Sequence, residues 1–380
     1  MKKPAAPLVS DILRAVHEIA PPHLAESWDN VGLQFGLPAN PAGRVMVALE
    51  VTKEVLREAA KRKVGTLVTH HPLLFRPLNR MVEDTSVAAL SSQLIRQGHA
   101  MIAAHTNLDS VAHGTNGELA DRLGLQMAGR EFLKPAPLDR DKMNYVVFVP
   151  TSHVSQVIDA IARAGAGAIG NYSHCTFRAP GTGTFVPEEG ADPYDGKIGK
   201  LTQADEVRLE CVVSKGNVAA LIREVRAVHP YETIAFHLYD TNLVEKPTAG
   251  MGLVGALKDP TTLDLYIRRV KKALGIASVG VVGDLKKKIS RVALCSGGSA
   301  SPIHNWKPGT ADLYVTGEMT HHDCAEAHHR GIATLLVGHF ASEAIVSQRF
   351  ADLIAQELHA QGFKPDVIVT RDERNPLQRV

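Results

Sequence analysis

Between residues 44 and 124 short apolar runs alternate with helical spacings, and this alternation constrains the chain more than any other feature. Residues 44–49 (RVMVAL) read as a buried strand, 52–61 as a helix after an N-cap, and 65–68 as the next strand. A helix over 90–97, a strand over 100–104 and a helix over 116–123 closed by Gly124 continue the series. Ahead of them, Ser10 is expected to cap a helix that runs to Ala20 and stops at Pro21-Pro22. Strands that alternate with helices specify a mostly parallel sheet covered on both faces, so the fold class is α/β.

The rhythm changes in the middle of the chain. Strands over 145–149, 172–178, 207–213 and 234–240, with helices over 152–164 and 217–228, give β-α-β-β-α-β, the ferredoxin-like order. A polar loop is expected over 179–206. The α/β rhythm then returns, with strands over 291–295, 313–316 and 333–337 and a long helix from 342 to 359. The 380 residues are enough for such a division, here 1–133 and 244–380 as two halves of one core with 134–243 inserted between them.

Charge excludes several classes of partner. Against 40 acidic residues stand 42 basic ones, a net charge of +2, which gives no global attraction to nucleic acid or an anionic membrane. Lys286-Lys287-Lys288 reads as a solvated turn. Cys175, Cys211, Cys295 and Cys324 are scattered singly, no apolar run has the length of a membrane span, and a cytoplasmic location is expected.

Histidine placement points to chemistry. Both outer halves put an adjacent pair, His70-His71 or His321-His322, near the end of one strand, and a His-x-x-x-acid unit, His105 to Asp109 or His339 to Glu343, after the next. The repetition reads as a degenerate internal duplication. Ligand sites in open α/β sheets gather at the carboxyl ends of strands, so these segments can meet in one crevice. Neighbouring side chains of a strand face opposite ways, so His70 and His71 are suited to two different ions. A helix beginning near His339 would bring its imidazole onto the face of Glu343, with Asp109 the matching carboxylate from the other half. Imidazole with carboxylate suits Zn, Mn, Fe or Ni. His322 is the member of its helix expected nearest the site. His23, His99, His113, His153, His174, His229, His237, His304 and His359 read as ordinary hydrogen-bonded or surface histidines.

The segments Glu26-Ser27-Trp28-Asp29-Asn30-Val31-Gly32-Leu33-Gln34, Thr69-His70-His71-Pro72, Ala104 to Asp109, Thr316-Gly317-Glu318 and Gly338 to Glu343 resemble the GTP cyclohydrolase 1 type 2 homologues, the Nif-three-like dinuclear metal centre proteins. The resemblance spans the chain, including an insert similar to the PII-like domain of the longer bacterial forms, where Asn171-Tyr172-Ser173 and His229-Pro230-Tyr231-Glu232 match. It implies two divalent ions, Zn, Mn or Fe, on His70, His71, Asp109, His339 and Glu343, with His105 and His322 as neighbours. It also implies a toroidal homohexamer and hydrolysis of a nucleotide or other anionic substrate by a water shared between the ions. A non-catalytic metal-binding oligomer is the alternative. Glu50 and Glu318 stand where the family commonly has Asp. Trp28, Asp29 and Asn30 either line the crevice or serve as core and turn.

Overall fold

The computed structural model describes residues 6–136, 142–169, 172–241, 247–299 and 301–378. The chain divides into two compact units, one made of Met1–Ala136 with Pro247–Val380 and the other of Pro137–Lys246.

Among the described residues the larger unit holds two sheets. In spatial order the first runs Gly32–Phe35, Ala100–Ala103, Val64–Thr69, Arg44–Ala48 and Val367–Val369. The last four are mutually parallel, and Gly32–Phe35 pairs antiparallel with its neighbour. The second runs Gly280–Val282, Thr334–Leu336, Leu313–Glu318, Lys288–Gly298, Gly250–Thr262 and Glu131–Pro135, with a parallel centre formed by the second, third and fourth of these. Central strands such as Arg44–Ala48 and Val64–Thr69 are mostly apolar and buried along nearly their whole length on both faces, as a covered parallel sheet requires. Over the first sheet, the helix Val9–Ile19 packs Ile12 and Val16 into one core with Phe350 and Ile354 of the helix Val346–Ala360. Leu263, Tyr266 and Val270 of the helix Leu263–Leu274 enter a second core with Val292, Leu313 and Leu335.

The smaller unit has one antiparallel sheet in the order Phe177–Phe185, Thr202–Ser214, Lys142–Pro150 and Phe236–Asp240. The helices Val154–Arg163 and Val218–Arg226 bury Val157, Ile161, Leu221 and Val225 in its core.

Local details depart from the sequence expectations. Ser10 lies inside the first helix, because the Leu8 N–H at the cap position is accepted by Asp11 Oδ2 at 2.8 Å. The expected 179–206 loop is partly strand: Phe177–Phe185 contains Pro180, Gly181 and Gly183, poor strand residues that are tolerated because this is the sheet edge. The long helix expected from 342 is two, His339–Glu343 and Val346–Ala360. No helix among the described residues is long and apolar enough to cross a membrane.

Candidate metal centre

The carboxyl ends of parallel strands from both sheets of the larger unit converge on one cluster of imidazoles and carboxylates. The strand Val64–Thr69 ends immediately before His70 and His71, whose N–H groups still bond to the carbonyls of Ala48 and Leu49 at 3.2 and 2.7 Å. Ala100–Ala103 leads to His105 and the single turn Thr106–Asp109. From the second sheet, Thr334–Leu336 reaches Gly338, whose φ of 97° turns the chain into the helix His339–Glu343. That helix sets His339 Nε2 3.0 Å from Glu343 Oε2, the one-face pairing expected of the spacing.

Each of four histidines faces an oxygen with Nδ1. His70 Nδ1–H donates to the Ala104 carbonyl at 2.9 Å, His105 Nδ1–H to Asp29 Oδ1 at 2.9 Å, and His339 Nδ1–H to Glu318 Oε1 at 2.9 Å. His71 Nδ1 faces Glu50 Oε2 at 3.8 Å. Their second nitrogens are thereby left for the interior of the site, the arrangement by which outer oxygens orient metal-ligating imidazoles. Ligand atoms of His70, His71 and His105 lie within 4.8 Å of one another, as do those of His71, His339 and Glu343, so His71 is common to both groups. Asp109 Oδ1 stands 3.7 Å from His70 Nε2 and accepts from the Thr115 hydroxyl.

His70 is 1% exposed, and its Nε2 is buried with no hydrogen-bond partner. Glu343 Oε1 is 3.8 Å away, which is too far for a hydrogen bond and acts only through charge. An orphaned buried imidazole nitrogen is costly in a folded protein unless something occupies the space before it.

Two glycines at the site permit close approach, Gly297 of the Glu343 carboxylate and Gly317 of neighbouring backbone. Gly297 has a φ of 66°, and a Cβ there would stand 2.2 Å from Glu343 Oε1. Its N–H donates to Ser342 Oγ at 3.0 Å, tying the strand end to the helix that carries His339 and Glu343. A Cβ on Gly317 would meet the Gly297 carbonyl at 2.4 Å.

The electrostatics follow from this packing. Burial opposes the charged form of His71, but Glu343 and Glu50 raise it to about 10. His339 is raised to about 9 by its hydrogen bond to Glu343, against burial. Glu343 is held well below the usual carboxylate range, because the surrounding imidazoles outweigh its own burial. Asp109 is pushed up by burial and by the charge of Glu343, with His70 and Thr115 pulling the other way. Asp29 is desolvated, yet hydrogen bonds from His105 and Thr106 bring it down to about 2. A cleft of about 450 Å³ opens beside His71 and His339, lined also by Glu50, Glu318, Phe340 and Asn375.

All five residues carried over from the resemblance therefore meet in one place, and His105 joins them within ligand distance of His70 and His71. His322 does not. It is exposed in the first turn of the helix His321–His329, which Thr320 caps, with the ring of His321 as its described partner. His99, His113 and His229 bond to backbone carbonyls, and His304 pairs with Asp323. Asp29 is a buried anchor for His105 and for the Thr106 N–H at 3.0 Å, whereas Trp28 is 57% exposed and packs against Phe75 and His105. Asn30 donates to the Leu74 carbonyl at 2.5 Å. Sequence reasoning missed the parts played by Glu50, Glu318 and Gly297. It noted Glu50 and Glu318 only as departures, and no local pattern marks Gly297.

The family described as Duf34/NIF3 (NGG1p interacting factor 3) matches residues 7–376. The chain is 35% identical over 367 residues to a GTP cyclohydrolase 1 type 2 homolog of Halalkalibacterium halodurans, a match covering 96% of this chain and 97% of that one. Identity to the Bacillus subtilis protein of the same description is 35% over 368 residues, with coverage of 96% and 97%. A Bacillus cereus protein related to NIF3 superposes with a TM-score of 0.86 at 34% identity, over 99% of this chain and 100% of that one. For a Staphylococcus aureus structure the TM-score is 0.84 at 25% identity, with coverage of 99% and 100%.

Proposed function

This chain belongs to the Duf34/NIF3 family, and from that premise we propose that it is a dinuclear metal-dependent hydrolase acting on a nucleotide or another small anionic substrate. The observation that carries the reading is the buried, unpartnered Nε2 of His70, set among imidazoles whose Nδ1 atoms all face oxygen. His70, His71, Asp109, His339 and Glu343 would hold two divalent ions, with His105 as a further donor, and nitrogen with oxygen ligands fits Zn, Mn or Fe. Bound there, the ions would supply Lewis acidity and lower the pKa of a water. The chain's own part is to fix the imidazoles through Ala104, Asp29, Glu50 and Glu318, to keep Glu343 ionised, and to shape the cleft beside His71 and His339 that receives substrate. The guanine-nucleotide substrate class rests on what the relatives are called. In the same reading the two sheets of the larger unit descend from a duplication, the insert is a PII-like module, and six chains assemble into a toroid.

Elemental analysis of protein purified without chelator should find about two transition-metal ions per chain. Turnover of GTP or another nucleotide by the loaded protein should be abolished in His71→Ala. Bound metal without turnover on a broad panel of nucleotides, phosphodiesters and amides would make this a metal-binding protein and not an enzyme. Absence of metal after incubation with Zn or Mn would refute both. Light scattering should report a mass near six chains, and a stable monomer would refute the assembly alone.

A further inference from the structure

The smaller unit contains a second pocket, of about 490 Å³, between the end of the strand Phe177–Phe185, the chain that follows it and the His229-Pro230-Tyr231-Glu232 segment. Four aromatic rings line it, those of Phe148, Phe185, Tyr194 and Tyr231. The Tyr231 centroid lies 6.4 Å from that of Phe185 and 6.0 Å from that of Tyr194. Among the rings sits the carboxylate of Glu206, with Glu188, Asp195 and Glu232 further round the wall and no Lys, Arg or His among the lining residues.

Glu206 is placed with care. Its Oε1 accepts the Tyr231 hydroxyl at 2.8 Å, and no described donor meets Oε2. That second oxygen lies across Gly183, where a Cβ would stand 2.2 Å from it, so glycine in the edge strand leaves room for the carboxylate in this position. His229 holds Tyr231 from below: Nε2–H donates to the Phe148 carbonyl at 2.9 Å, and Nδ1 accepts the Tyr231 N–H at 3.2 Å. This pattern defines a neutral imidazole, and burial lowers its pKa accordingly, so it brings no positive charge to balance the acids.

Aromatic faces attract cations, and a half-bonded carboxylate in an apolar wall seeks a charged donor. A neutral apolar ligand would leave the second oxygen of Glu206 without a partner, and an anion would meet four carboxylates. We propose that this pocket binds a small organic ammonium ion, its charged head at Glu206 against the rings of Tyr231 and Tyr194 and its apolar body against Phe185 and Phe148. The volume lies within the range of pockets that enclose whole small molecules.

Calorimetric titration of the full chain with phenethylammonium, and with 2-phenylethanol as its uncharged counterpart, tests this. Saturable binding of the ammonium is expected, weakened about tenfold or more in Glu206→Gln, since loss of one charge-assisted hydrogen bond is worth about that factor. The alcohol should bind at least about tenfold more weakly than the ammonium to the unaltered protein. Circular dichroism checks that Glu206→Gln is folded. Phe185→Leu, which keeps apolar bulk and removes a ring face, should weaken the ammonium more than the alcohol. Equal affinity for the two probes, unchanged affinity in Glu206→Gln, or no heat of binding up to about 10 mM would each overturn the proposal.

Discussion

Substituting Glu58 by Gln should destabilise the larger unit by about 3 kcal/mol at neutral pH and progressively less in acid. Glu58 is 5% exposed on the helix Lys53–Lys61. Its carboxylate accepts the Thr370 hydroxyl at 2.6 Å, the N–H groups of Arg371 and Asp372 at 2.8 and 3.1 Å, and Arg62 at 2.5 Å. Burial alone would raise its pKa, but these donors bring it from 4.5 to about 2. A difference of about 2.5 units at 1.36 kcal/mol each gives the magnitude, and Gln mimics the protonated form. Because the folded pKa is depressed, the contribution is complete above the unfolded value of 4.5 and is lost as pH falls through about 2. At pH 3 about 1.5 kcal/mol should remain. Both tryptophans, Trp28 and Trp306, belong to the larger unit, so their fluorescence during urea unfolding reports on it. Comparing native protein with variant at each pH cancels other acid-sensitive groups. A difference below about 1 kcal/mol at pH 7, or one that does not shrink by pH 3, would refute the reasoning.

Gly297→Ala should cost about 1–2 kcal/mol for its left-handed backbone and should also displace Glu343, lowering metal uptake about tenfold or more. Gly275→Ala is the control, with a φ of 65° and nothing near the new Cβ, so it should lose stability and keep metal; equal uptake by the two variants would count against the cradle. Asp29→Asn should weaken metal uptake by about 10-fold or more through His105, and unaltered uptake in a metal-titration assay would remove His105 from the site. Replacing Pro137–Lys246 with a flexible linker should leave metal content per chain unchanged by elemental analysis, since every residue assigned to the centre lies in the other unit. Loss of metal from a folded deletion would show that the insert contributes ligands.

The parallel centres of both sheets were legible because buried parallel strands are short apolar runs, as in Arg44–Ala48 and Val64–Thr69. The edges were not. Phe177–Phe185 is rich in Gly and Thr, and Val367–Val369 is three residues long, so each becomes a strand through its neighbour and not through propensity. Gly250–Thr262 hides behind Asp259-Pro260, where its register with Lys288–Gly298 is broken. At the site, His339 and Glu343 were readable because one helical turn links them. The partnership of His105 with Asp29, 76 positions away, and that of Gly297 with Glu343 are set by tertiary approach, which no local spacing encodes. His322 is exposed beside His321, and adjacency of the two in sequence does not by itself encode an approach to the cluster.

His71 and Glu343, hydrogen-bonded in the folded chain, are 272 positions apart, with the whole insert between them. At about 5–20 residues per second, a ribosome needs on the order of 15 to 50 s to pass from one to the other. During that interval His70, His71, His105 and Asp109 have emerged without the helix that neutralises and covers them. The cluster therefore cannot take its folded geometry until the helix His339–Glu343 has been made, so closing it is one of the last events in the folding of the chain.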